Sequence, residues 1–190
     1  MILPIVAYGH PTLKKVAVDI DKDYPDLEKL IDDMWETMYA ANGIGLAAPQ
    51  VNRSIRLFVI DATPYAEDYP ETKDFKKVCI NAHILEETGD EVVIGEGCLS
   101  IPGMNEDVSR KPNLVIRYQD ENFVEYTESY DGFLARVIQH EYDHIEGILY
   151  VDRLTNFRRM LLKGKLRDIS NGEVEVDYKM LFPNLRRKIR

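Results

Sequence analysis

The sequence is short of cysteine, of positive charge and of long apolar runs, and each shortage removes a class of protein. Two cysteines, Cys79 and Cys98, make no disulfide framework, so a packed core has to hold the fold. No stretch approaches the length of a membrane span. The segment Met1–Ala7 is apolar but too short for a signal peptide, lacks a basic start and is interrupted by Pro4. The expectation is therefore a cytoplasmic protein in a reducing compartment, where a free thiolate persists. A net charge of −9 argues against a general binder of nucleic acid or acidic membranes. Only the run Arg186–Arg190 is basic, and it reads as a short solvated tail. There is no internal repeat, low-complexity segment or dividing linker, so residues 1–190 are expected to form one catalytic domain with a real core.

The clearest helix is expected from Pro25 to Ala41. Leu27, Leu30, Ile31, Met34, Trp35, Met38 and Tyr39 recur at helical spacing, Pro25 suits a first turn, and Asn42-Gly43 can close it. The next residues, Gly43-Ile44-Gly45-Leu46-Ala47-Ala48-Pro49-Gln50, permit tight turns and close approach of another molecule. Strand-like runs follow at 55–60, 77–81, 91–94, 114–118 and 123–127, with a turn at 119–122. The stretch 63–74 reads as a surface loop. Asp131-Gly132 opens a helix that Gly147 ends, a further amphipathic helix runs from Thr155 to Asp168, and Val174–Met180 alternates like a final strand. Strands without regular βαβ alternation indicate an α+β fold, with mixed or antiparallel sheets packed around a central helix.

That central helix carries His140-Glu141-Tyr142-Asp143-His144. Residues four apart lie about one turn above each other, so both imidazoles reach a single ion and Glu141 stands beside it. Phe133, Val137, His140 and His144 share one side, while Leu134, Ile138 and Ile145 face the other, which describes a helix buried on two sides. A catalytic site of this kind needs a third protein ligand and one open position. No histidine follows His144, so a downstream histidine is excluded, while Glu146, Glu173 and Glu175 stay open in principle. Cys79 lies in an apolar strand pattern and reads as core. His10, before Pro11, and His83 read as structural or surface residues.

Three motifs then carry a family resemblance. Glu-Gly-Cys-Leu-Ser at 96–100, Gly-Ile-Gly-Leu-Ala-Ala-Pro-Gln at 43–50 and Gln-His-Glu-Tyr-Asp-His at 139–144 resemble, in order and separation, those of peptide deformylases of the bacterial type-1 form. The similarity extends from about residue 1 to 155. It implies that Cys98, His140 and His144 bind one divalent ion, Fe2+ in the cell, with Ni2+, Co2+ or Zn2+ able to substitute. It implies hydrolysis of the N-formyl group from the starting methionine of new proteins, releasing formate, with Glu141 as base and then acid. The Gln50 side-chain amide and the Leu99 backbone N–H would donate to the formyl oxygen, and the substrate backbone would lie near Gly45. Ile44, Ile94 and Val137 are candidates for the methionine pocket. Glu96 and Asp143 are candidates for orienting the ligands. The implied partners are N-formylmethionyl peptides and nascent chains, with transient ribosome contact but no motif encoding it.

Two other readings share the pentapeptide. A metalloprotease would cleave internal peptide bonds, but Cys98 upstream and the lack of a later histidine weigh against it. A module with a structural ion would need a closed set of four ligands, and it would leave Glu141 without a purpose.

Overall fold

The computed structural model describes residues 1–185, so the basic run at 186–190 lies outside the described residues. The elements in chain order are β1 (Ile5–Val6), α1 (Leu27–Ala40), β2 (Gly45–Ala47), β3 (Leu57–Asp61), β4 (Lys76–Thr88), β5 (Val92–Cys98) and β6 (Ile101–Arg110). There follow β7 (Asn113–Gln119), β8 (Glu125–Tyr130), α2 (Gly132–Ile145), α3 (Asn156–Ser170) and β9 (Met180–Leu181). Strands β2-β3-β4-β7-β8 form a five-stranded sheet, antiparallel throughout. The hairpin β5–β6 stands apart from it. A parallel pair, β1–β9, joins the two ends of the described chain.

Helix α2 lies between the five-stranded sheet and the hairpin, as its two-sided apolar pattern requires. Leu134, Ala135, Ile138 and Ile145 pack with Phe58, Ile60, Leu114 and Ile116 of the sheet. On the hairpin side, Arg136 reaches the Val108 carbonyl of β6 at 2.8 Å and the Val92 carbonyl of β5 at 2.6 Å. Helix α1 covers another face of the sheet through Ile31, Met34 and Met38, against Leu46, Leu57, Val59 and Ile80. The side chains of α2 that carry chemistry are thus held in a rigid layer, not on a loop.

Several boundaries differ from the sequence expectation, each for a local reason. Helix α1 begins at Leu27 and not Pro25, because Asp26 takes a left-handed conformation (φ 55°) that breaks the first turn. Strand β4 continues well past Asn81. That residue forms a bulge at φ 51° and uses its side-chain amide to bind both backbone groups of Ile20 (2.9 and 2.7 Å). Phe123, expected to open a strand, is itself in the turn at φ 60°. Asp120 accepts the N–H groups of Asn122 and Val124 there, at 2.9 and 3.0 Å.

Strand β6 has no clear period in the sequence and was not expected. Its inward residues Met104, Glu106, Val108 and Arg110 alternate with exposed Asn105, Asp107 and Ser109, so charges on the buried face hide the alternation. Glu106 is satisfied by a bidentate Arg158 from α3 (2.6 and 2.9 Å). The expected strand at 174–180 is reduced to Met180–Leu181, and residues 175–178 run along a cleft beside α2. The loop at 63–74 holds short 3-10 turns at Thr63–Tyr65 and Pro70–Thr72. Its Tyr69 ring stacks on Phe133 of α2 at 4.1 Å, and Tyr65 packs against the same ring.

Candidate active site

Three segments converge at the C-terminal half of α2. The helix supplies His140, Glu141 and His144, and the tip of the β5–β6 hairpin supplies Cys98. The 3-10 turn Ala48–Val51 after β2 supplies Gln50. The donor atoms of Cys98, His140 and His144 all lie within 4.8 Å of one another, and Cys98 Sγ is 3.4 Å from His144 Nε2. A thiolate and two imidazoles on a shared centre suit a transition-metal ion. His10 instead accepts the Thr12 N–H at 3.3 Å, His83 is half-buried beside Asp19, and Cys79 is buried in the core. Of the downstream carboxylates left open, Glu146 is paired with Arg56 at 2.7 Å, and Glu173 and Glu175 are exposed.

The ring of His140 is oriented from behind. Its Nδ1 lies 3.0 Å from Glu96 Oε2, which leaves Nε2 as the free donor. Glu96 sits in a chain of buried charges. Arg110 binds it through two N–H groups at 2.6 and 2.9 Å, and Arg136 adds a third at 2.9 Å. Arg110 also reaches Asp143 at 2.7 Å, and Arg153 grips Asp143 with two bonds of 2.6 Å. Among the side-chain contacts of the described residues, Asp143 therefore reaches Glu96 and His140 through Arg110. Burial alone would favour the neutral acid, yet Arg110 and His140 hold the Glu96 carboxyl well below the usual range.

Burial lowers the proton affinity of both imidazoles. In His140 the Cys98 and Glu96 side chains overcome that effect, whereas His144, facing the charge of His140, is pushed well down. Glu141 has one carboxylate oxygen, Oε2, that is buried without a partner. Burial, opposed by the charge of His140, pushes its carboxyl up to about 7. An unpaired buried carboxylate is costly unless its site brings a proton, a water or a cation. It lies against Gly45, where an added Cβ would come 2.7 Å from Glu141 Cδ. The lack of a side chain at Gly45 is what gives Glu141 its place.

Gln50 is 2% exposed, and its amide is oriented by the Ala47 N–H, which donates to Oε1 at 2.9 Å. The Nε2 group therefore points at the centre, 3.6 Å from Cys98 Sγ and 3.3 Å from Ser100 Oγ. A cleft of about 630 Å³ opens above these residues, lined among others by Ile44, Gly45, Leu99, Val137, His140 and Glu141. Ile94 does not line it. That residue is 38% exposed on β5: it shares the strand face of Glu96, opposite Val108, but lies farther from the Cys98 tip and beyond the cleft. Phe133, which shares the helix side of His140, also lines the cleft, as do Met104, Tyr65 and Tyr178, and nothing in the sequence surroundings of these last three placed them there.

A family model described as polypeptide deformylase matches residues 2–160. This chain belongs to that family. The peptide deformylase of Christiangramia forsetii is 57% identical across 98% of this chain and 99% of its own length. That of Flavobacterium psychrophilum is 53% identical across 98% and 100%. Among solved structures, a peptide deformylase of Ehrlichia chaffeensis in complex with actinonin superposes with a TM-score of 0.80 at 32% identity, covering 92% of this chain and 99% of that one. The Thermus thermophilus enzyme gives 0.79 at 36%, covering 92% and 100%. The α+β architecture around the α2 helix is that of these enzymes. With membership comes the family's metal-dependent hydrolysis, which removes the formyl group from the N-terminal methionine of nascent chains.

Proposed function

We propose that the cleft above α2 carries out this deformylation with Cys98, His140 and His144 as the ligands of one Fe2+ ion, and that Ni2+, Co2+ or Zn2+ can replace it. The observation that carries the assignment is the close set of three donors next to a buried, unpartnered Glu141 oxygen. When bound, such an ion supplies Lewis acidity, polarising the carbonyl and acidifying water. Glu141 takes a proton from the attacking water and delivers it to the departing nitrogen, and its raised proton affinity suits both tasks near neutral pH. The water oxygen bonds to the formyl carbon, the C–N bond breaks, and formate and a free amine leave. Negative charge that gathers on the formyl oxygen is met by the Gln50 amide and the Leu99 N–H, each donor contributing roughly 3–4 kcal/mol at the transition state.

The methionine side chain would enter between Ile44 and Val137, with Phe133 and Met104 completing an apolar wall. Gly45 leaves room for both Glu141 and the substrate backbone. We read residues 1–190 as a single catalytic domain working in the cytoplasm on N-formylmethionyl nascent chains, with transient ribosome contact. No helix among the described residues is long and apolar enough to cross a membrane. The deciding experiment is formate release from a short formyl-Met peptide by protein loaded anaerobically with Fe2+ or Ni2+. Rapid metal-dependent release is expected; none from folded, loaded protein would reject the assignment. Because air oxidises Fe2+ but not Ni2+, and a thiolate bound to a redox-active ion oxidises with it, the Fe2+ form should lose activity in air faster than the Ni2+ form.

A further inference from the structure

Cys98 and Leu99 sit at the tip of a tight hairpin. The β5–β6 register closes with Cys98 opposite Ile101, which leaves Leu99 and Ser100 as the centre of the turn, and a register irregularity falls between Gly97 and Cys98. A turn of this kind can rotate its central peptide at small cost unless something outside holds it. Here both central carbonyls are held. The Tyr178 hydroxyl donates to the Leu99 carbonyl at 2.7 Å, and the Tyr8 N–H donates to the Ser100 carbonyl at 2.8 Å. The buried Ser100 side chain also accepts from Gln50 Nε2 at 3.3 Å.

The two holding groups come from one device. Tyr8 follows β1 and Tyr178 precedes β9, and these strands pair in parallel with Ile5 opposite Met180 and Val6 opposite Leu181. The Ile5 N–H donates to the Lys179 carbonyl at 2.8 Å, immediately beside Tyr178. Along 175–178, Glu175 and Asp177 face solvent while Val176 and Tyr178 turn inward, and Tyr178 lines the cleft. The small β1–β9 sheet thus acts as a bracket on the turn.

We propose that Tyr178 is a positioning residue for deformylation, and that its hydroxyl, by holding the Leu99–Ser100 peptide, fixes the torsions about the Leu99 Cα that aim the adjoining Leu99 N–H at the formyl oxygen as charge develops there. The proposal rests on the reading of Leu99 as a donor to that oxygen. A donor is worth most when it is already aimed before the charge appears. Losing the hydroxyl should therefore slow the chemical step without weakening substrate binding.

The test compares Tyr178→Phe with the parent enzyme, both loaded with Ni2+, on a formyl-Met peptide. Tyr178→Phe should lower kcat about tenfold while KM, metal content and fold stay as in the parent. An unchanged kcat would overturn the proposal, as would a fall matched by loss of metal, which would mean that the hydroxyl serves Cys98 and not Leu99. Leu99→Pro removes the N–H itself at a turn position that suits proline, and it should lower kcat at least as far. In that background Tyr178→Phe should cause no further fall, an outcome that a merely structural tyrosine would not give. Full kcat in Leu99→Pro would overturn the donor assignment and this inference with it. The parent's own formate release tests the broader reading separately.

Discussion

Glu96 Oε2 lies 3.0 Å from His140 Nδ1, and the same carboxylate takes three N–H bonds from Arg110 and Arg136. One acidic side chain therefore sets the direction of the His140 imidazole and pairs with two buried guanidinium groups. The ionised state of Glu96 is what both jobs require.

Glu96→Gln keeps the shape and removes the charge. Metal affinity should fall roughly 10- to 100-fold, as for other lost partners of ligating histidines. Stability should fall by about 3 kcal/mol, because buried arginines are left short of a counter-charge. Competition against a chelator and denaturant titration measure the two effects. Parental values in both would mean that Asp143 alone carries the network.

Glu141→Gln should retain the metal and lose hydrolysis by roughly 10²–10⁴-fold, the usual worth of a positioned base. A variant that binds metal and still releases formate at the parental rate would remove Glu141 from the mechanism.

The same residue gives the metal-free protein a pH dependence. In the folded state Glu141 holds its proton up to about 7 because burial penalises the charge, whereas unfolded it ionises in the ordinary carboxylate range. Between those limits the folded state binds more protons, so the Glu141 contribution to stability falls as pH rises through the window. Chelator-treated parent and Glu141→Gln, unfolded in urea at several pH values, should differ in slope there. Parallel curves would show that the carboxyl titrates normally.

Gly45→Ala should drive Glu141 from its place, since the new Cβ would lie 2.7 Å from Glu141 Cδ and 2.8 Å from Cγ. A displacement near 1 Å can cost on the order of 100-fold in rate. The loss should appear in kcat with the metal retained, and a crystal structure with Glu141 unmoved would contradict this steric account.

Of the two free thiols, Cys79 is buried, and burial pushes its thiol well up, so it should resist alkylation. In metal-free native protein at pH 8 iodoacetamide should label Cys98 alone, and reloading with metal should protect it. Peptide mass mapping reads both outcomes, and early labelling of Cys79 would mean that the sheet opens locally.

The sequence displayed the parts that repeat a period or a spacing. Helix α2 and the meeting of Cys98, His140 and His144 were legible because two histidines four residues apart, on a helix apolar on two sides, have to share one buried face. Helix α1 was legible in its apolar stripe, though not in Asp26, whose left-handed backbone leaves no mark in composition. Arg110 and Glu106 stayed hidden because a charge whose partner is remote in sequence looks like a surface residue. Ile94 looked like a pocket residue because it is apolar and near Cys98, but it lies too far from the hairpin tip to reach the cleft, although it shares the strand face of Glu96. Tyr178 had no signal of its own: its role comes from a hydrogen bond across 79 residues.

The β1–β9 bracket also has a consequence for how the enzyme comes into being. Residues 174–181 emerge from synthesis after every other element described, yet they supply one wall of the cleft and one of the two grips on the Leu99 turn. Their contacts close the largest loop in the fold, so they form last on grounds of chain entropy as well. A molecule still being made can bring Cys98, His140 and His144 together on α2 and β5 while this wall and this grip are missing. Among the described residues, closing the cleft is the last step.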